Sequence, residues 1–340
     1  MQIQENISIR PYNTFGLEAK ARFFAGFRSI ADLQEILKAG LSSGHGIPQM
    51  ILGGGSNILF TSDYNGIVLK NEISGIEKIK EDDDHVYLKV GAGENWHRFV
   101  LFCIQNNYAG VENLSLIPGC VGAAPMQNIG AYGVEIKEVF HELTAFHLHE
   151  QSNFTFRLSD CEFGYRDSIF KNKYKNQFAI SFVSLRLNKH PVYNTKYGAI
   201  EQELERMGVK ELSIKAIADA VINIRTSKLP DPNIIGNAGS FFKNPSIEKL
   251  QYDELRKKFP DMPGYVNPDG TMKLAAGWLI EQCGWKGYRK GDAGVHDRQA
   301  LVLVNYGNAT GEEILTLSEE ISRSVFEKYG VLLEREVNLY

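Results

Sequence analysis

Two glycine-rich segments hold the residues of this sequence that are best suited to chemistry. Residues 114–133 combine glycines with small alanines, Gln127 and Asn128, and residues 53–57 follow an apolar run at 50–52. Backbone without side-chain bulk can turn through positive φ and bring its N–H groups close to phosphate oxygens. Either segment alone is more typical of a tight surface turn. Together they predict a site for a large polyphosphate cofactor.

Common nucleotide and metal signatures are absent from the sequence. It contains no GxGxxG dinucleotide pattern, no P-loop lysine, no HExxH and no GxSxG. His147 and His149 share one face of a predicted strand, but a metal site needs more ligands than two. We interpret this pair as an ordinary sheet surface, so no metal site is predicted.

Composition limits the class of protein and its partners. The 340 residues suffice for two or three domains, and 41 acidic against 37 basic residues give a net charge of −4. This balance offers no basic field for nucleic acid or an anionic membrane. The sequence shows no signal peptide or membrane-length apolar run, and its four cysteines lack paired spacing. We therefore expect a cytoplasmic protein with reduced thiols, without nucleic-acid or membrane partners, and most simply a monomer.

Apolar periodicity and capping signals predict a mixture of helices and strands. Helices are expected at 29–40, 96–104, 213–229, 247–259, 273–283 and 310–330. Strands are expected at 50–52, 67–69, 86–90, 139–149, 178–187, 300–305 and 331–340. The acidic run 81–84 predicts a solvated hairpin turn before the strand at 86–90.

The helix that begins at Ser213 carries an arginine on its apolar stripe. The inward stripe comprises Ile214, Ile217, Ala218, Val221 and Ile222, and Arg225 continues it one turn later. An arginine on a buried face must have a partner or face a cavity. The helix cannot pass Pro230, so residues 229–232 predict a boundary.

Six segments occur in an order that resembles one flavoenzyme family. They are residues 53–57, 91–97, 117–133, 163–168, 236–245 and 333–337. Together they span nearly the whole chain and closely resemble the UDP-N-acetylenolpyruvoylglucosamine reductases, also called UDP-N-acetylmuramate dehydrogenases. The resemblance implies an α+β fold with a two-part FAD-binding domain of the vanillyl-alcohol-oxidase-like (PCMH) type. A smaller α+β substrate-binding domain completes the implied fold.

The resemblance also implies domain limits and cofactor contacts. FAD-binding subdomain 1 would comprise residues 1–70, and subdomain 2 residues 71–229 together with the terminal strand 330–340. The substrate-binding domain would comprise residues 230–329. FAD would be held noncovalently, since Asn57 stands in the neighbourhood where related oxidases carry a tethering histidine. The implied FAD contacts are Gly53, Gly54, Gly55, Ser56, Asn57, Ile117, Pro118, Gly119, Gly122, Ala123, Gln127, Asn128, Gly130, Ala131 and Tyr132.

The implied reaction needs positive charge and a proton donor. NADPH would reduce FAD and leave, and UDP-N-acetylglucosamine enolpyruvate would then take its place and be reduced to UDP-N-acetylmuramate for peptidoglycan. Hydride addition to the enolpyruvyl β-carbon places negative charge on the substrate carboxylate. A guanidinium can hold that carboxylate with two hydrogen bonds.

The resemblance assigns three catalytic residues. Arg166 would hold the carboxylate, although a surface salt bridge with Asp167 is the alternative interpretation. Ser240 would donate the proton to the α-carbon, although such a serine is more often a cap or turn residue. Glu336 would be partly buried with a raised pKa, so that its protonated form hydrogen-bonds the enediolate; a charged edge strand suits Glu334 better.

The remaining implied contacts recognise the sugar nucleotide. The diphosphate contacts would be Lys228, Asn244 and Lys286, with Arg225 directed to the same cleft and the tyrosines Tyr197 and Tyr265 carried over from the family. Residues 196–198 resemble the tyrosine loop that closes over substrate in the longer subtype of the family, where it would act as a gate.

Two rival functions remain open. One is another flavin oxidase or dehydrogenase on the same FAD fold, which rapid reoxidation by oxygen would favour. The other is a catalytically silent sensor of flavin or nucleotide sugar, since fold alone does not fix function. Against the sensor stands the presence of all three residues of the implied catalytic set, Arg166, Ser240 and Glu336.

Overall fold

The chain forms two compact units, each built from segments that are far apart in sequence. In the computed structural model, residues 2–41, 47–197 and 199–340 are described. The first unit comprises Met1–Ile7, Ala21–Gly55 and Asn65–Ser227, and the second comprises Ser8–Lys20, Ser56–Tyr64 and Lys228–Tyr340. The three-domain division expected from the sequence stays a prediction.

The described residues contain both helices and strands. The helices are α1 (Ile30–Ile36), α2 (Trp96–Gln105), α3 (Ala199–Arg206), α4 (Ile214–Lys228), α5 (Lys249–Lys258), α6 (Ala276–Gln282) and α7 (Gly311–Tyr329). The first ten strands are β1 (Gln4–Ser8), β2 (Lys20–Phe27), β3 (Gln49–Leu52), β4 (Ile58–Leu59), β5 (Tyr64–Asn71), β6 (Ile76–Glu81), β7 (His85–Gly91), β8 (Gly130–Ala131), β9 (Val134–Glu135) and β10 (Phe140–His147). The next are β11 (Ser152–Arg157), β12 (Phe178–Asn188), β13 (Gly236–Ser240), β14 (Ser246–Ile247), β15 (Gly264–Val266), β16 (Met272–Leu274), β17 (Arg289–Lys290), β18 (Ala293–Val295), β19 (Val302–Asn305) and β20 (Asn338–Leu339).

The first unit contains two larger sheets and the two-stranded sheet β8-β9. One of the larger sheets has the order β1-β2-β5-β3, and the other is antiparallel with the order β11-β10-β12-β7-β6. The predicted acidic hairpin is confirmed, because β6 and β7 pair across residues 82–84. The predicted helix at 96–104 is confirmed as α2, which Asn95 caps and which buries Trp96, Phe99, Val100 and Cys103. These side chains join the core under the antiparallel sheet.

Helix α4 confirms the predicted helix that carries Arg225. The Ser213 hydroxyl accepts from the Ala216 N–H (3.1 Å) at its beginning, and the helix ends at Lys228, before Pro230. Its buried residues are Ile214, Ile217, Ala218, Ala220, Val221 and Ile224. Ile224 is therefore buried where the predicted stripe placed Ile222, which is only half-buried. The stripe faces α3, which contributes Ile200 and Leu204 to the same small core.

The second unit contains α7 and three short sheets, and α7 packs against β18 and β19 of one of them. The sheets have the orders β13-β19-β18-β17, β14-β16-β15 and β20-β4. The predicted cap of α7 is confirmed, since Thr310 and Glu313 form a reciprocal capping box and Gly330 ends the helix with a φ of 65°. Leu317, Ile321 and Val325 of this helix lie in the core of the unit.

The helix predicted at 29–40 is confirmed in extent, since α1 continues as the π-helical turn Leu37–Leu41. Two other predicted helices are wrong in extent. The helices at 247–259 and 273–283 are shorter, because their first residues pair with each other as β14 and β16.

The terminal segment also differs from its prediction. Instead of one strand over 331–340, it forms an isolated bridge between Arg335 and Phe242 and then the short strand β20. Its backbone changes partners along its length, first meeting residues 241–243 and then β4, so no continuous ladder forms. Among the helices of the described residues, none has the length and hydropathy needed to cross a membrane.

Candidate active site

The long glycine-rich segment lies in the first unit and is a chain of tight turns. It contains the 3-10 turns Val121–Ala123 and Pro125–Gln127, followed by the β8–β9 hairpin. Positive φ values occur at Leu116, Gly119, Asn128, Tyr132 and Gly133. The segment is therefore held in conformations that most side chains disfavour, and strain of this kind is frequent at functional sites.

Asn128 supports these turns from within. Its side-chain amide donates to the Gly164 carbonyl (3.0 Å) and to Glu135 Oε2 (3.1 Å), and its Oδ1 accepts from the Lys137 N–H (3.2 Å). The residue is fully buried at a φ of 44°. The FAD contact predicted for Asn128 stays a prediction, while its side chain fixes the loop.

The two glycine-rich segments abut each other in the first unit. A Cβ on Gly54 would lie 2.7 Å from Gly119 Cα, closer than a side chain tolerates. A Cβ on Gly53 would lie in ordinary contact with Ala123 Cβ (3.7 Å) and Cys120 Cβ (3.8 Å). Glycine at position 54 is thus required for the two backbones to meet, which agrees with the expectation that both segments serve one site.

The predicted tyrosine loop is docked on the same segment. Asn113 donates to the carbonyls of Tyr132 (3.0 Å) and Asn194 (2.9 Å), and Asn194 donates to the Gly133 carbonyl (3.1 Å). Tyr197 meets Tyr132 edge to face, with ring centroids 5.6 Å apart, yet stays 56% exposed. Gly198, the last residue of the predicted loop, lies outside the described residues. Sequence reasoning missed Asn113 and Asn194, which carry no motif.

Arg166 is placed by a strained turn. Its φ is 54°, which is uncommon for arginine, and Gly164 and Asp167 bridge across it. Its Nη2 donates to the Gly130 carbonyl (2.9 Å), so the guanidinium lies beside the glycine-rich segment. The Asp167 carboxylate accepts two hydrogen bonds from the Asn172 amide, at 2.9 and 3.0 Å.

Arg225 carries a buried cationic group in the same unit, although the residue as a whole is only half-buried. Its Nε is buried and has no hydrogen-bond partner, and no acidic side chain pairs with it, among the residues that the structure describes. Burial lowers the pKa of Arg225, Tyr132 acts against this shift, and the positive charge of Arg166 adds to it. Two neighbouring guanidinium groups without an acidic counter-charge on Arg225 favour the binding of an anion.

His97 borders this cationic region. Burial and the charge of Arg225 both lower its pKa, so the imidazole is neutral at pH 7. Its Nδ1 accepts from the Leu116 N–H (3.0 Å), a bond that requires the unprotonated nitrogen. His97 therefore holds the beginning of the glycine-rich segment, a role that the sequence did not reveal.

In the second unit, Ser240 sits at the end of a bulged strand. Strand β13 pairs with β19 as Asn237↔Val304 and Ser240↔Val302, so β13 contains one extra residue. Gly239 takes up the bulge with a φ of 70°. Such a bulge redirects the following side chain, and Ser240 is half-buried.

Glu336 lies beside the continuation of the same strand. Its N–H donates to the Phe241 carbonyl (2.8 Å), and the Lys243 N–H donates to the Glu334 carbonyl (2.9 Å). The second unit therefore brings Ser240 and Glu336 onto neighbouring backbones. The predicted partial burial of Glu336 is confirmed, and its raised pKa stays a prediction.

The predicted sugar-nucleotide contacts of the second unit are spread over several elements. Asn244 Oδ1 accepts from the Ala276 N–H (3.0 Å) and so caps α6. Lys286 is paired with Glu281 at 2.9 Å, and Lys228 is the exposed last residue of α4. Tyr265 lies on β15, 60% exposed. Their roles toward substrate stay predictions.

The geometry of the first unit fits an anionic flavin cofactor. The abutting glycine turns leave no side chain between their backbones, and the buried Arg225 provides a cation without an acidic partner. In the described part of the chain, no group of three or more His, Cys, Asp or Glu residues could hold a metal ion.

Comparison with known proteins identifies both parts of the chain. Residues 231–340 match the family model described as UDP-N-acetylenolpyruvoylglucosamine reductase, C-terminal domain, and residues 21–147 match the FAD binding domain. The UDP-N-acetylenolpyruvoylglucosamine reductase of Amoebophilus asiaticus is 53% identical over 339 residues, covering 100% of this chain and 99% of that protein. The protein of the same name from Flavobacterium johnsoniae is 51% identical over 341 residues, covering 100% of both.

A solved structure supports the fold. The UDP-N-acetylenolpyruvylglucosamine reductase of Thermus caldophilus superposes with a TM-score of 0.68 over 100% of this chain and 99% of that one. Its sequence identity of 22% makes this a likeness of fold alone. The predicted α+β class with an FAD-binding domain is confirmed. Since the relatives above are more than half identical over the full chain, the protein belongs to the UDP-N-acetylenolpyruvoylglucosamine reductase family and is an FAD-dependent oxidoreductase.

Proposed function

We propose that the protein reduces UDP-N-acetylglucosamine enolpyruvate to UDP-N-acetylmuramate, with NADPH as the reductant, in the cytoplasmic synthesis of peptidoglycan precursors. FAD, when bound noncovalently along the two glycine-rich segments, supplies the transfer of hydride from NADPH to the enolpyruvyl β-carbon. The observation that carries this proposal is the buried charged group of Arg225. It lacks an acidic partner among the described residues, and the positive charge of Arg166 lowers its pKa.

The two arginines supply the positive charge that the reaction needs. Addition at the β-carbon drives negative charge onto the substrate carboxylate. Arg166 binds this carboxylate with paired hydrogen bonds, and Arg225 adds a second positive charge from a buried position. In a site that excludes water, such preorganised charge is worth far more than at a surface.

Ser240 and Glu336 supply the proton and the hydrogen bond that the reaction also needs. The Ser240 hydroxyl gives its proton to the α-carbon, because only a strongly basic carbanion can take a proton from so weak an acid. Glu336 in its protonated form donates a hydrogen bond to the enediolate. Their neighbouring backbones in the second unit support this shared role.

The sugar nucleotide requires cations and amide donors. Asn244 uses its Oδ1 to cap α6, so its amide N–H groups are the atoms that can serve a phosphate. Lys286 must exchange its partner Glu281 for the diphosphate, to which Lys228 contributes a second charge. Tyr197 and Tyr265 close on the substrate from exposed positions.

The test follows the flavin absorbance without oxygen. NADPH is expected to bleach the purified yellow protein, and UDP-N-acetylglucosamine enolpyruvate is then expected to restore the absorbance with UDP-N-acetylmuramate as product. A spectrum that stays bleached would contradict the substrate assignment. Restoration by air coupled to turnover of an alcohol or sugar, with no effect of the enolpyruvate, would favour an oxidase instead.

A further inference from the structure

Asn57 is the last residue of the short glycine-rich segment 53–57, where the family resemblance implies a contact with FAD. In the second unit its side chain makes a different bond. Asn57 Nδ2 donates to the main-chain carbonyl of Glu336 at 3.2 Å, across 279 positions of sequence. The residue that the proposed reaction uses as a hydrogen-bond donor to the enediolate is thus hydrogen-bonded through its main chain to Asn57.

The bond extends a regular backbone ladder by one rung. The Asn338 N–H donates to the Asn57 carbonyl (3.1 Å), and β20 then pairs in parallel with β4 as Asn338↔Ile58 and Leu339↔Leu59. Parallel ladders are evenly spaced, so the next acceptor along the terminal segment is the Glu336 carbonyl. The Asn57 amide reaches this acceptor from its side chain.

Glu336 is therefore held on both sides of its Cα. Its N–H donates to the Phe241 carbonyl at 2.8 Å, and its carbonyl accepts from Asn57 at 3.2 Å. The first bond ties it to the strand that carries Ser240, and the second ties it to the beginning of β4. Fixing both flanking peptides restricts the main-chain rotations that would move the carboxyl group.

We infer that Asn57 is a positioning residue for Glu336, acting through the carbonyl of Glu336 and setting where its carboxyl group meets the substrate. This inference rests on the proposed function, which gives Glu336 its role. Through Glu336, Asn57 acts on the step that returns electrons to the enolpyruvyl substrate, in addition to any effect that its implied FAD contact has on the oxidation of NADPH.

The chain offers a matched control. The Asn338 side-chain amide donates to the Asn57 carbonyl (3.0 Å), so it makes the same kind of hydrogen bond to the same residue without touching Glu336. Asn57→Ala and Asn338→Ala each remove one amide-to-carbonyl bond from the same ladder. Only the first of them releases the Glu336 carbonyl.

The experiment measures the two half-reactions separately in FAD-loaded protein, together with FAD affinity by flavin fluorescence. Because position 57 is also an implied FAD contact, both variants are compared at saturating FAD, and the readout is the ratio of the rate of bleaching by NADPH to the rate of return of the flavin absorbance. In Asn57→Ala, the flavin absorbance is expected to return about tenfold more slowly with UDP-N-acetylglucosamine enolpyruvate, a change of about 1.4 kcal/mol in activation free energy. Asn338→Ala is expected to match the native protein in both steps.

A double-mutant cycle shows whether Asn57 acts through Glu336. In a Glu336→Gln background, Asn57→Ala is expected to slow the return little further, because the group it positions is already changed. Additive effects would overturn the inference, as would a loss of FAD affinity with a normal return rate. Should Asn57→Ala not fold, Asn57→Ser removes the same amide with a smaller change in volume and is judged by the same outcomes.

Failure of the proposed function gives a different result. If the flavin absorbance of Glu336→Gln returns at the native rate, Glu336 has no catalytic role. The inference is then overturned together with that assignment. If Glu336→Gln is slow and Asn57→Ala is not, only the inference is overturned.

Discussion

The two units hold their candidate catalytic groups in opposite ways. In the first unit, Arg166 and the glycine-rich segment lie on turns with positive φ, and the nearby Arg225 is buried without an acidic partner among the described residues. In the second unit, Ser240 and Glu336 lie on paired backbones with a single bulge. Binding an anion requires buried positive charge, which costs stability, whereas proton transfer requires accurate placement, which regular pairing provides.

The largest expected effect tests the second unit. Ser240→Ala should slow the return of the flavin absorbance by about 100- to 10,000-fold, the usual range for loss of a general acid. Bleaching by NADPH should be unchanged, since no proton is given to substrate in that step. Rapid-mixing absorbance measures both rates. Ser62→Ala, an exposed serine of the same unit, is the control, and a normal return rate in Ser240→Ala would refute the assignment.

The next effect tests the buried charge of the first unit. Arg225→Met should lower kcat/KM about 100-fold by removing transition-state charge. It should leave the free energy of unfolding unchanged or raise it, because an apolar side chain replaces a partly desolvated cation. Denaturant titration at saturating FAD measures the stability. Arg206→Met, which removes an exposed arginine paired with Glu203, should change stability little. A loss of stability in Arg225→Met would mean that the guanidinium has a stabilising partner.

A smaller effect separates backbone strain from site geometry. Gly239→Ala places a Cβ in open space at a φ of 70° and should cost about 1–2 kcal/mol of stability through backbone strain. The disturbed bulge should also slow the return step about tenfold, a change of about 1.4 kcal/mol. Gly208→Ala, at a φ of 68° with equally open space, should cost the same stability but leave both rates unchanged. Equal rates in the two variants would show that the bulge does not direct Ser240.

The smallest expected effect is a loss of stability at low pH, to which one histidine from each unit contributes. Burial lowers the pKa of His97, with Arg225 adding to the shift, and burial also lowers the pKa of His296 despite the opposing charge of Asp297. The unfolded chain then takes up protons near pH 6.5 while the folded chain does not. The free energy of unfolding should therefore fall as the pH decreases below 6.5, by at most about 1.4 kcal/mol per pH unit for each histidine.

Single substitutions show how much of this loss of stability at low pH each histidine causes. His97→Asn and His296→Asn should each remove one share of it, as measured by urea unfolding at a series of pH values. As the pH falls through the lowered pKa of His97, protonation also breaks its bond from the Leu116 N–H, so FAD affinity should fall in the native protein. If neither substitution reduces the loss of stability at low pH, the neutral state of both histidines is contradicted.

Much of the fold follows from local sequence signals. Apolar periodicity predicted α2, and a capping signal beginning at Thr310 predicted the beginning of α7. These signals act over a few residues, so they can be read without knowledge of the partner. The terminal segment was wrong because its pairing depends on two distant partners, the backbone at 241–243 and β4.

The candidate site divides in the same way. The glycine-rich segments could be found from composition, and the family resemblance supplied the roles proposed for Arg166, Ser240 and Glu336. The supports of these residues could not be predicted, because bonds such as Asn113 to Asn194 and Asn57 to Glu336 join isolated asparagines far apart in sequence. An isolated asparagine has no periodicity and resembles any turn residue.

The long-range bond of Asn57 also has a consequence for the order of events during translation. Asn57 and Glu336 are 279 positions apart. At about 5–20 residues per second, Asn57 leaves the ribosome roughly 15–55 s before its acceptor is synthesised. The beginning of β4 spends this interval without its parallel partner, as an uncovered strand edge that chaperones or neighbouring nascent chains can contact. Catalytic competence should therefore arise abruptly, once residues 334–338 have been synthesised and have joined the ladder.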